Sequence, residues 1–283
     1  MTVLDNCLSI VIVSFNSEHY LQRALNSIRK YNDIEKCEVV IVDNSTRDID
    51  CSFLSDYSFS IKFINSQENL GFGVANNLGV RSSSYKNILL LNLDAQVKCE
   101  LSKIVSSIKY HPNCLIGAIM SDDDDQYRPS FGTFPNSLLK VIFPSKMYSL
   151  PLQTSTFEVD WIEASFLALS KETWGSIGGF DPDIFMYGED LVFCKTANNL
   201  GIRSIVDITL SYSHTGGYDD SKYGNIYLGI KAFLRVNVDF RSRLLAKALF
   251  LSLFLKFILF SVMSLFDNSC KVKSKSLNSR FFK

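Results

Sequence analysis

The sequence predicts an α/β fold with a mostly parallel central sheet and helices on both faces. Two observations carry this. Short apolar runs alternate with segments of helical periodicity through the first 120 residues, the pattern of successive β-α-β units. Several of those runs are continuous rather than alternating, which suits strands buried on both faces. In such sheets ligands bind beyond the carboxyl ends of the strands.

The elements follow in order. Residues 8–13 form a first strand, and Leu21, Ala24, Leu25 and Ile28 then fall at helical spacing within 17–30. Residues 38–42 and 61–64 are strands, 73–81 a helix, 88–93 a fourth strand, 101–110 a helix and 115–120 a fifth strand. Between 121 and 151 the pattern breaks into turn-rich sequence. Its run of four aspartates lacks the spaced, glycine-containing layout of a calcium loop and reads as solvated. Residues 160–170 read as one strand, 171–177 as a helix ending at Gly178-Gly179, and 204–212 as a strand leading to His214.

Polar residues collect where three successive strands end: Ser14 and Asn16, then Asp43, Asn44 and Ser45, then Asn92 and Asp94. Each alone would pass for a turn residue. Asp94 is the sharpest, because it follows the apolar run 88–91 and an unpaired interior carboxylate is costly. Its partner is a metal ion, a cation or a turn backbone. Glu189 and Asp190 open a helix containing Leu191, Cys194 and Ala197. A purely helix-dipole role predicts exposure, whereas the apolar residues 185–188 predict a buried pair able to act as a base. His214 becomes a metal-ligand candidate only if Asp94 converges on it.

Formal net charge is zero over 283 residues, but it is uneven. Residues 240–283 hold nine Lys and Arg against Asp267 alone, a tail of +8, which leaves the first 239 residues at −8. An acidic body excludes a general nucleic-acid binder, and a basic, apolar tail fits an anionic membrane surface. Seven scattered cysteines without metal spacing read as reduced thiols in a cytosolic protein, and the N-terminus lacks the features of a signal peptide. Residues 244–266 are long enough to span a bilayer. Lys247 and Lys256 raise the cost of spanning, so an amphipathic helix lying in the interface with both lysines snorkelling is expected. A soluble cap packed on the domain is the alternative.

Taken together, SIVIVSFNS, VVIVDNST, NSQENLGFGVANNLGV, ILLLNLDAQV, DWIEASFLALSKETWGSIGGFDPDIFMYGED and SHTGG, running to Gly217, resemble the inverting glycosyltransferases of family 2, which have the GT-A fold. The resemblance is to the rhamnosyltransferase-like branch that builds bacterial O-antigen lipopolysaccharide and capsule polysaccharides. It implies a transferase domain over 1–239, with a nucleotide-binding half to about residue 120 and an acceptor half beyond, followed by the tail 240–283. It implies that Ser14, Asn16 and Asp43 hold the donor nucleoside, and that the stretch from Asn69 to Asn77, with Gly71, Gly73 and Asn76, passes close to base, ribose and diphosphate. The glycines fail as a dinucleotide fingerprint because Asn76 stands at the third glycine position, which counts against a nicotinamide dehydrogenase.

By the same resemblance Asn92-Leu93-Asp94 takes the place of the metal motif. Asp94, with His214, would bind Mg²⁺ or Mn²⁺, Asp190 would be the catalytic base with Glu189 orienting, and Trp161 would touch the sugar or the acceptor. The implied partners are a dTDP- or UDP-sugar, with dTDP-L-rhamnose preferred, and a lipid-linked oligosaccharide acceptor at the inner face of the cytoplasmic membrane. A non-catalytic nucleotide-sugar binder within a polysaccharide assembly complex is the rival of a different class. Two departures stand out: Leu93 replaces the branch's proline, and Val192 stands where a further acidic residue is common.

Overall fold

The computed structural model describes residues 6–46, 50–148, 150, 152–215, 224–236 and 239–282, the side chain of residue 282 excepted. Gly216 and Gly217 of the SHTGG motif lie outside the described residues, as does Lys283. Four parallel strands, β1 (Cys7–Ser14), β2 (Lys36–Asp43), β3 (Ser60–Asn65) and β4 (Asn87–Leu91), stand in the order β3-β2-β1-β4. Helix α1 (Glu18–Tyr31) crosses from β1 to β2, and α2 (Phe72–Ser82) from β3 to β4. The reason for the unbroken apolar runs is visible in β4. Ile88 and Leu90 pack into the apolar cluster on one side of the sheet, Leu89 and Leu91 into that on the other.

After β4 the chain turns through Asn92–Asp94, with the Ala95 N–H donating to the Asn92 carbonyl at 3.0 Å. It then forms β5 (Ala95–Val97), which pairs antiparallel with β12 (Arg203–His214) and sets His214 opposite Ala95. The last strand thus runs two residues past the expected 212, so His214 belongs to it. Helix α3 (Leu101–Tyr110) leads to β6 (Cys114–Ser121), which lies parallel to β12. The turn-rich stretch holds β7 (Tyr127–Arg128), β8 (Phe131–Gly132) and α4 (Leu138–Ile142). Its aspartates are solvated and tied to basic neighbours: Asp122 to Arg128 at 2.7 Å, Asp123 to Arg23 at 3.4 Å, and Asp125 to Lys98.

Residues 160–170 are two strands rather than one. Following β9 (Phe157–Val159), which pairs with β12, β10 (Trp161–Ile162) pairs with β8 in a small separate sheet. β11 (Phe166–Ser170) is inserted antiparallel between β4 and β6. Both pieces are apolar, so the switch of sheets at 163–165 leaves no mark in the hydrophobic pattern. Helix α5 (Lys171–Ile177) starts at Ser170, whose hydroxyl accepts from Thr173 N–H, and ends at Gly178 with φ +95°. The helices α6 (Glu189–Asn199), α7 (Asn225–Val236), α8 (Phe240–Met263) and α9 (Asn268–Leu277) complete the described chain. All seven cysteines are free thiols, six of them buried.

Candidate active site

The carboxyl ends of β1 and β2 form the floor of the site. Ser14 lies beside Asp43 in the ladder, and both are fully buried. One Asp43 oxygen accepts from the Ser45 hydroxyl at 2.7 Å; Asn16, at φ +51°, donates its N–H to the same hydroxyl at 2.8 Å. Asn44 reaches over to the next loop, donating to the Gly71 carbonyl at 3.0 Å, while the Asn69 side chain accepts from Gly71 N–H at 3.0 Å. Gly71 has φ +79° and faces the chain before α6: a Cβ there would sit 2.3 Å from the Phe185 carbonyl oxygen. That oxygen accepts from Phe72 N–H at 3.1 Å. Gly73 is close against Phe180, and Asn76 is buried with its amide bonded to the Phe72 carbonyl of its own helix. Asn77, at the end of the stretch expected beside the donor, clamps the Phe180 backbone with both side-chain atoms at 2.8 and 2.9 Å. Gly71→Ala combines a left-handed φ with a backbone clash, so it is expected to cost about 2 kcal/mol or more, read as a lowered denaturant midpoint.

Opposite this floor the turn after β4 meets the end of β12. Asp94 Oδ1 lies 2.9 Å from His214 Nε2, across 120 positions of sequence. The Asn92 amide nitrogen is 3.5 Å from the same ring atom, and Thr215 N–H donates to the Asp94 carbonyl at 3.1 Å. The convergence that spacing alone could not supply is therefore present. Asn92 N–H also donates to the Ser165 carbonyl at 3.0 Å, which joins the turn to the segment between β10 and β11.

That segment carries the site across to α6. The N–H groups of Ala164 and Leu191 both donate to the Asp190 carboxylate, and burial raises its pKa. Glu189 is buried, and burial together with the Asp190 charge raises its pKa further. The expected apolar cover is not what buries the pair: Phe185, Met186 and Tyr187 are exposed. Instead Gly188, at φ +106°, packs against Gly229 and Ala232 of α7 at a distance no side chain would allow. Glu163 is a third carboxylate in the cluster and was not singled out from sequence, where it reads as one polar position in an apolar strand. Burial and the Asp190 charge raise its pKa to about 7, offset by His214 and by the Tyr148 hydroxyl at 3.4 Å. Trp161 lies behind this cluster, 2% exposed, edge-on to Tyr148 and against Gly132. It supports the wall and does not present its ring to the opening.

Six buried side-chain polar atoms among the described residues lack a hydrogen-bond partner, and five belong to Ser14, Asp43, Asn92, Trp161 and Glu189. Each such atom costs about 1–3 kcal/mol where it is left unsatisfied. Trp161 Nε1 belongs to the wall; the other four lie at the ends of β1 and β2, in the turn after β4 and at the start of α6, the segments that carry the candidate residues. The same observation tests the metal. Among the described residues no cluster of three His, Cys, Asp or Glu forms a closed cage. Asp94, His214 and the unpartnered Asn92 oxygen instead offer one carboxylate, one imidazole and one amide oxygen. Such a set fits a hard divalent cation that keeps positions for phosphate oxygens and water.

Comparison with known proteins identifies the family and the fold. The family model "Glycosyl transferase family 2" matches residues 9–169. The low-salt glycan biosynthesis hexosyltransferase Agl10 of Haloferax volcanii is 27% identical over 259 residues, covering 87% of this chain and 76% of that protein. The N-acetylglucosaminyl-diphospho-decaprenol L-rhamnosyltransferase of Mycobacterium tuberculosis is 21% identical over 249 residues, covering 78% and 81%. Among solved structures, GalNAc-T7 with UDP, GalNAc and Mn²⁺ superposes with a TM-score of 0.60 at 16% identity, over 81% of this chain and 48% of that one. The likeness shows the GT-A fold. With more than half of its length matched by the family model, the chain belongs to glycosyltransferase family 2.

Proposed function

We propose that the chain is an inverting, divalent-metal-dependent glycosyltransferase of cell-surface polysaccharide synthesis, with dTDP-L-rhamnose as the preferred donor and a lipid-linked saccharide hydroxyl as acceptor. The observation that carries it is the convergence of Asp94 and His214, 2.9 Å apart, on the segment whose Glu163 and Ala164 meet Asp190, with unpartnered polar atoms at Ser14, Asp43, Asn92 and Glu189. The relatives' names, a hexosyltransferase and a rhamnosyltransferase acting on a diphospho-decaprenol, support the donor and acceptor classes.

In this reading Asp43 and Ser14 hydrogen-bond the donor base, and the Asn69–Gly73 loop passes along ribose and diphosphate. Asp94, His214 and Asn92 hold the Mg²⁺ or Mn²⁺ that, when bound, offsets the charge of the departing nucleoside diphosphate. Asp190 takes the acceptor proton as the acceptor oxygen bonds to the anomeric carbon and the carbon–phosphate-oxygen bond breaks. A single displacement of this kind inverts the anomeric centre. Burial keeps the proton affinity of Asp190 high, and its charge in turn raises the pKa of Glu189 and Glu163 beside it. The clustered, partly desolvated carboxylates also count against a non-catalytic binder, which has no use for such costly charges.

UDP in the GalNAc-T7 structure favours a second reading, in which the donor is a UDP-hexose or UDP-galactofuranose. A thermal-shift panel of dTDP-L-rhamnose, UDP-sugars and GDP-mannose, each with and without Mn²⁺, separates them. The expected result is the largest metal-dependent shift with dTDP-L-rhamnose. A shift with UDP-sugars alone moves the assignment to the second reading, and no shift with any sugar nucleotide removes both.

A further inference from the structure

We infer that the outward face of α8, joined by α4, is a docking surface for an anionic lipid bilayer, on which the helix lies in the plane of the interface. The inference deepens the proposed work on a lipid-linked acceptor, though its evidence is independent of the chemistry.

Helix α8 is 24 residues long and contains an 18-residue window of mean hydropathy 2.0, enough to span a membrane by length and composition. Its surroundings argue against spanning. Leu245, Leu249 and Leu253 are buried against the protein. Lys256, expected to snorkel outward, points inward instead: its ammonium donates to the Ile142 carbonyl and, at 2.6 Å, to the Tyr227 hydroxyl, and lies 4.9 Å from the Tyr227 ring centre. An ammonium fixed to α4 and α7 anchors the middle of α8 to the transferase body. A helix so held cannot be surrounded by lipid without dragging that body with it.

The opposite side is apolar rather than polar, so α8 is not the simple amphipathic helix expected from sequence. Leu244, Leu251, Leu255, Ile258 and Val262 recur at helical spacing and are 44–59% exposed. Beside them α4 exposes Leu138 and Leu139, and Phe143 follows at 52% exposure. An apolar surface this extended on a folded domain marks an interaction site.

Charge selects the occupant. Arg241, Arg243 and Lys247 are exposed at the start of α8, and Lys271 and Lys275 are exposed on α9, which folds back beside the last turns of α8 through the Ser261–Ser274 hydroxyl bond. Both ends of the apolar stripe are therefore basic. A second copy docked face to face would set basic ends against basic ends in either direction. An anionic lipid surface instead accepts both ends, at about 1 kcal/mol per basic residue near the headgroups. The placement also suits the acceptor. The segment that exposes Phe143 runs on within five residues to Tyr148, whose hydroxyl meets Glu163 in the carboxylate cluster.

The test is flotation of the purified full chain with phosphatidylcholine vesicles, with and without phosphatidylglycerol. Binding is expected only to the anionic vesicles, lost on alkaline carbonate extraction and weakened by salt. Leu251→Glu/Leu255→Glu, at exposed positions that leave the fold unaltered by circular dichroism, should reduce binding at least about tenfold. Arg241→Gln/Arg243→Gln/Lys247→Gln should weaken it without that change of face. Three outcomes overturn the inference: no binding to anionic vesicles, carbonate-resistant insertion, or a dimer in light scattering that the double glutamate variant dissolves. None of these readings involves sugar transfer, so a wrong donor or base leaves the result standing, and a failed flotation leaves the transferase reading intact.

Discussion

Asp190→Asn is expected to lower sugar transfer about a thousandfold while leaving donor affinity within about twofold, the range that loss of a positioned general base gives. The variant keeps the side chain's shape and an oxygen to accept from Leu191 N–H, which the carboxylate does now at 2.8 Å. What it removes is proton affinity. Because burial raises the Asp190 pKa, the wild-type rate should fall on acidification at a pH above that of an ordinary aspartate. Glu163, whose carboxyl is raised to about 7, is already protonated where Asp190 takes up its proton, so Glu163→Gln should leave that acid limb in place. Stability should shift the other way from activity. A carboxylate whose folded pKa is raised is best tolerated below its unfolded pKa and becomes a burden as pH rises through the folded value. The Asn variant should therefore gain in melting temperature over wild type as pH increases. Steady-state transfer with calorimetry across pH decides the matter, and full activity in Asp190→Asn removes it from the mechanism.

The parallel half of the sheet was legible because burial on both faces forces unbroken apolar runs, as in β4, where alternate residues serve opposite clusters. Strand-end polarity pointed to Ser14, Asp43 and Asp94 for the same reason: a buried strand can present polar atoms only where it ends. Legibility failed where partners, not periodicity, decide. The switch of sheets at 163–165 separates two equally apolar strands, and it is this switch that sets Glu163, Ala164 and Ser165 between Asn92 and Asp190. Trp161 looked available at a strand edge but is sealed behind Tyr148. Lys256 looked like a lysine seeking water, and only the fold brings the Ile142 carbonyl and Tyr227 hydroxyl that hold it inside. Each miss is a long-range pairing with no local signature.

Asp94→Ala is expected to abolish the gain in nucleotide affinity that Mn²⁺ or Mg²⁺ provides, with little loss of stability. The side chains of Asp94 and His214 are 31% and 14% exposed, so their mutual bond is worth about 1 kcal/mol or less to the fold. The backbone link from Thr215 to the Asp94 carbonyl survives the substitution. Ligand binding is affected far more, because the carboxylate is the only formal negative charge in the donor set and a hard cation depends on it. Titrating dTDP and UDP into wild type by calorimetry should give an affinity at least about tenfold higher with Mn²⁺ than with chelator, and this ratio should fall to near one in Asp94→Ala. His214→Ala should reduce the ratio less, since imidazole is neutral and the hard ions prefer oxygen. Asn92→Ala separates the remaining alternative. If the amide oxygen faces the cation the ratio falls again, and if Asn92 only secures the turn the ratio holds while the melting temperature drops. An unchanged metal dependence in Asp94→Ala would falsify the assignment of this turn to a metal, and would leave Asp94 and His214 as an ordinary ion pair closing β4 onto β12.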